Sequence, residues 1–171
     1  IKSLNYLKSL KTLNLSNTPI TSLQPLSRLA KLRELKIRQT PVRNIGYLSN
    51  LKHLEWLDAN YTKISDVNGL RSLVNLKRLE LWDTRVQDIT PLSNLKKLEY
   101  LDLDRTHINQ LWALAGMEYL NTLYIAYTKV NDISPLVNLK NLKVLGLTSK
   151  NLLPCSAKGL KELKAGKICN R

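Results

Sequence analysis

Residues 32–53 read LRELKIRQTPVRNIGYLSNLKH, and this 22-residue pattern recurs along the chain without insertion or deletion. Leu10, Leu32, Leu54, Leu76, Leu98, Leu120 and Leu142 each open a version of LxxLxLxxT. A fixed period of this size is the signature of a solenoid, whose units bury their apolar sides only against one another. With each opening Leu as position 1, positions 1, 4, 6, 11, 14, 17 and 20 are apolar in all six complete repeats. The alternation at positions 4 and 6 predicts a short strand with one buried face. The steps of three from 11 to 20 predict turns and 3₁₀-like coil on the opposite side. Pro25, Pro91 and Pro135 all fall at position 16, where proline suits the first turn of a short helix. Tyr47, Gly69 and Ala113 take that place elsewhere, so a helix is not expected in every repeat.

These residues resemble the leucine-rich repeats, most closely the 22-residue class of internalins and of a nuclear protein-phosphatase regulatory subunit. The resemblance covers residues 1 to about 153. It implies an α/β repeat fold: a right-handed curved solenoid with a parallel sheet on the concave side and short helical turns on the convex side. One departure is consistent. The slot usually filled by Asn holds Thr18, Thr40, Thr62, Thr84, Thr106 and Thr128, whose hydroxyls can still bond neighbouring backbone groups.

The pattern predicts a solenoid over residues 1–153 and a cap over 154–171. Ile1, Leu4 and Leu7 fit the second half of an earlier repeat, so the chain begins mid-repeat and a preceding segment is expected. Ser156 to Ala165 reads as a short capping helix stopped by Gly166. Cys155 and Cys169 bracket it. One reading is a disulfide that ties the cap and points to an oxidising, extracytoplasmic compartment. The other is two reduced thiols, since Cys155 occupies position 14, where a small apolar residue serves. Two cysteines alone do not make a zinc site.

The net charge is +14, which by itself would suggest an anionic partner. On the outward strand positions 3, 5, 7 and 8, however, six acids outnumber four bases, a concave face of about −2. Bases gather instead at positions 21, 22 and 2, among them Lys31, Arg33, Lys52, Lys96 and Lys97. This ridge reads first as a solvated flank, and second as a contact for nucleic acid, a glycosaminoglycan or anionic lipid.

Six of the ten aromatic residues fall on the concave positions of the third to sixth repeats: Trp56, Tyr61, Trp82, Tyr100, Tyr124 and Tyr127. Tyr and Trp combine broad apolar area with a polar handle and anchor protein interfaces. The same four repeats carry Asp58, Glu80, Asp83, Asp102 and Asp104. Position 5 should stack Asp58, Glu80 and Asp102 about 4.8 Å apart, an unfavourable row of like charge that a partner would relieve. Position 3 should set Arg78 between the rings of Trp56 and Tyr100, and position 8 should pair Asp83 with Arg105. The bland alternative is that these groups simply bond to one another. Ala59 replaces a large aliphatic at position 6 without an evident reason.

The only histidines, His53 and His107, lie on different repeats, and no phosphate loop, HExxH or serine elbow is present. An open face gives no walls to raise a carboxylate pKa. The expectation is therefore a monomeric, non-enzymatic protein-binding module, with the targeting segment of a larger effector as a further alternative, and the resemblance implies a bacterial, secreted or surface type. It needs no cofactor or metal, and its partner would be a protein with a basic, partly apolar surface.

Overall fold

A computed structural model describes Leu4, residues 6–148 and the backbone of Lys167–Asn170. Each 22-residue turn from Leu10 onward is one rung, numbered one to seven. The strands are β1 (Thr12–Asn14), β2 (Glu34–Lys36), β3 (Trp56–Asp58), β4 (Arg78–Glu80), β5 (Tyr100–Asp102), β6 (Thr122–Tyr124) and β7 (Val144–Leu147). They form one parallel sheet in chain order, joined by an eighth strand, β8 (Lys167–Asn170), which pairs with β7. The sequence pattern had given no strand there. The capping helix expected at 156–165 and the side chains of Cys155 and Cys169 lie outside the described residues.

The register follows the repeat with no slip. Thr12, Glu34, Trp56, Arg78, Tyr100, Thr122 and Val144 are successive partners across the sheet. A one-residue shift would turn every leucine to water, so the Leu column at position 4 fixes it. From Leu23 onward the apolar slots are buried in one continuous core, while Leu10, Leu13, Leu15 and Ile20 of rung one pack only partly. Ala59 is fully buried in that core.

A 3₁₀ turn closes each of rungs one to six, so the convex side is more regular than expected. The turns at Gln24–Arg28 and Thr90–Asn94, both with proline in the first turn, run to five residues. At position 16 of rung three, a Cβ on Gly69 would stand 2.4 Å from the Ile45 carbonyl oxygen, so only glycine fits. Position 13 supplies a second ladder, invisible to the apolar pattern. Asn44, Asp66, Asp88 and Asp132 each accept the backbone N–H two residues on, at 2.7–2.8 Å. The Thr90 hydroxyl and backbone N–H hold the Asp88 carboxyl below its ordinary range. The threonine column acts as expected: all six hydroxyls donate to the carbonyl three residues back, at 2.6–2.8 Å.

Candidate functional site

Beyond the three-residue strands, the inter-rung ladder continues through position 8. Backbone N–H groups of Asn17, Gln39, Tyr61, Asp83 and Arg105 donate to position 7 carbonyls of the next rung, at 2.8–2.9 Å. To make this bend, position 8 takes a left-handed backbone: Asn17, Gln39, Tyr61, Asp83, Arg105 and Tyr127 all have φ between 54° and 60°. Asn accepts that conformation readily, whereas bulky side chains adopt it against a steric cost of about 1–2 kcal/mol. The two tyrosines there were legible as outward residues, but their backbone was not.

The six rings do share one face. Five are half-buried and Tyr127 is 43% exposed. Tyr61 meets Trp82 at 4.8 Å between centroids, and Tyr100 meets Tyr124 at 5.8 Å, both tilted. Tyr124 has room because position 5 of the next rung is glycine: a Cβ on Gly146 would lie 2.2 Å from the ring. Cations fill the gaps between rings. Arg78 lies between Trp56 (5.2 Å) and Tyr100 (4.0 Å), as position 3 predicted. Lys36 sits 4.1 Å over Trp56, Arg38 4.7 Å over Tyr61, and Arg105 4.9 Å over Tyr127. The expected Asp83–Arg105 ion pair does not form among the described residues, because the Arg105 guanidinium turns onto Tyr127 instead.

The acids behave differently from the expectation. Asp58, Asp102 and Asp104 are buried, at 9%, 3% and 4% exposure. Asp58 and Asp102 accept the backbone N–H two residues on, in Asn60 and Asp104, at 3.1 and 3.0 Å. Asn60 and Asp104 in turn accept the N–H of Trp82 and Ala126 on the following rung, at 2.8 and 2.6 Å. The acid row therefore has a job in the fold: it satisfies position 7 N–H groups that would otherwise be buried without a partner. Glu80 is likewise committed, accepting from Trp56 Nε1 (3.0 Å), Arg78 Nε (2.7 Å) and Asn60 Nδ2 (3.0 Å). Of the five acids singled out in the sequence, only Asp83 is exposed.

These surroundings shift three groups. Burial, reinforced by the Glu80 charge, pushes the Asp58 carboxyl up, although the Asn60 N–H pulls the other way. Burial and the nearby charges of Asp102 and Glu80 push the Tyr100 phenol up to about 12. Burial opposes the Arg78 charge, but the hydrogen bond it donates to Glu80 and the Glu80 charge together outweigh it and strengthen the charged form. Among the described residues, no group of three or more His, Cys, Asp or Glu is placed to hold a metal ion, and no helix is long and apolar enough to cross a membrane.

A repeating coil with one parallel strand per turn defines the solenoid class. The family model for leucine-rich repeats in two copies matches residues 8–53 and 74–117, and the chain belongs to the leucine-rich repeat proteins. Among solved structures it is similar to internalin C2 of Listeria monocytogenes, 31% identical with a TM-score of 0.88, covering 98% of this chain and 74% of that one. It is also similar to an internalin, inlF, of the same organism, 28% identical with a TM-score of 0.83, covering 86% of this chain and 45% of that one. A leucine-rich repeat protein of Leptospira interrogans, 23% identical with a TM-score of 0.77, shares the fold over 86% of this chain and 45% of its own. The chain is thus internalin-like, and spans under half the length of two of these structures. No curated protein matches it.

Proposed function

We propose that this chain is a non-enzymatic protein-binding module whose partner docks on the concave face of rungs three to six. The observation that carries this reading is the gathering of six Tyr and Trp rings on that face, with none on the concave positions of rungs one, two and seven. The rings are interleaved with cations and held in fixed tilts. The internalin-like fold supports binding of other proteins as the general role. It also favours a secreted or surface protein of bacterial type.

The partner's charge is revised from the sequence expectation. With Asp58, Asp102 and Asp104 buried, the accessible charges of the face are Lys36, Arg38, Arg78 and Arg105 against Glu34, Glu80 and Asp83. Such a face fits a partner of mixed charge with apolar anchors, not a strongly basic one. Catalysis finds little support here, since Glu80, Asp102 and Asp104 are committed to backbone and ring N–H groups.

The test is affinity capture with the parent chain beside Tyr127→Ala and Trp82→Ala, each checked for an unchanged melting curve. Specific partners should be lost from both variants, each substitution weakening binding by more than about 1–2 kcal/mol. Undiminished capture by both would sink the proposal.

A further inference from the structure

The two edges of the sheet carry very different charge. At the edge where strands end, positions 10–13 hold Arg43, Lys63, Arg85 and Lys129 against Asp66, Asp88 and Asp132, close to balance. At the edge where strands begin, positions 21, 22 and 2 hold ten bases against three acids, a net of +7 and half of the chain's +14. Little inside the molecule offsets this. Arg33 and Lys77 share Glu55, which their hydrogen bonds and charge hold below its ordinary pKa. Lys97 bonds to Asn75 at 2.8 Å. The other seven bases have no ion pair or side-chain hydrogen bond among the described residues. In contrast to the concave acids, these seven do no structural work among the described residues.

We infer that this edge is a second binding strip, separate from the concave face, for a linear sulfated polysaccharide lying along the solenoid axis. Its geometry is a line. Lys8, Lys52, Lys96 and Lys140 recur every 44 residues, all exposed. That spacing is two rungs, about 9.6 Å between successive lysines. A polymer bearing regular anionic groups matches such a row, whereas a membrane would meet a planar patch. The composition separates sulfated glycan from nucleic acid. The only rings on these three columns are Tyr119 and His53, too few for a platform on which bases stack.

The test compares two charge-matched triples on a heparin column and by titration with heparin across a salt series. Lys52→Glu, Lys96→Glu and Lys140→Glu strike the proposed strip. Arg43→Glu, Lys63→Glu and Lys129→Glu change net charge equally on the opposite edge. The strip triple should elute at much lower salt, and its log-affinity against log-salt slope should fall in magnitude by about 3. The opposite-edge triple should stay close to the parent. Equal loss in both triples would reduce the effect to net charge and overturn the inference, as would loss in neither. A single-stranded oligonucleotide that binds as tightly as heparin and displaces it would overturn the sulfated-glycan assignment. So would anionic vesicles that bind the parent more tightly than heparin does. The Trp82→Ala and Tyr127→Ala variants should retain heparin binding, so failure of the concave-face reading and failure of this one are separable.

Discussion

Rungs three and five differ from rungs four and six in a way the 22-residue repeat conceals. The odd pair carries acceptors at positions 5 and 7: Asp58 with Asn60, and Asp102 with Asp104. Each set supplies one bond within its rung and one to the rung above. The even pair carries Glu80 with Trp82, and Tyr124 with Ala126, and is the receiver. A rung whose position 7 N–H is met by the rung before needs no acceptor at its own position 5, and its own position 7 is free where the rung after it supplies an acceptor. Trp82 therefore occupies a place that its neighbours must give to Asn or Asp. Along this face the chemical unit is 44 residues, two coils long, and the aromatic surface exists because alternate rungs do the backbone's hydrogen bonding.

The sharpest way to break this comparison is to remove an acceptor that links one rung to the next. Asp104→Ala should destabilise by about 2–3 kcal/mol in urea denaturation, because it orphans the buried Ala126 N–H. Asn14→Ala also removes an acceptor of a position 7 N–H, that of Ser16 at 3.0 Å, but within its own rung and from an exposed rung-one site. It should change stability by less than about 0.5 kcal/mol. Equal effects would mean that burial and the link between rungs add nothing to this ladder.

Next in size is Gly146→Ala, which tests the receiving side. The new methyl must displace the Tyr124 ring and weaken its contact with Tyr100. The expected loss is about 1–2 kcal/mol, with a changed near-ultraviolet circular dichroism spectrum.

The smallest effect concerns Asp58. Its folded-state pKa is raised, so the native protein binds a proton more readily than the unfolded chain does. Stability is then fully present below the unfolded carboxylate range and declines as pH rises through the folded value. Asp58→Asn keeps an oxygen for the Asn60 N–H without the charge. It should melt above the parent at pH 7, with the gap narrowing as pH falls toward about 4. A gap that widens on acidification would contradict the assignment.

The sequence made the register legible because leucines recur at fixed intervals and any slip exposes them. The threonine hydrogen bonds and the Arg78 sandwich followed from column positions alone. Burial of Asp58, Asp102 and Asp104 did not, since solvent access at one position depends on the side chains 22 residues away in either direction. A signal for it was present: Asn or Asp at position 7 occurs only in the two rungs whose position 5 is also Asp. Nor could the pattern disclose the left-handed backbone at position 8, because Gln39, Tyr61, Arg105 and Tyr127 are unlike one another and only Asn17 and Asp83 belong to types that favour it.

The Glu80 carboxylate, clasped at once by an indole, a guanidinium and an amide, sets how this surface would meet another molecule. Rotamer freedom at its core is surrendered during folding, not at encounter. Complexes formed there should consequently form with little reshaping of these side chains, and choose among candidates by fit to a rigid relief.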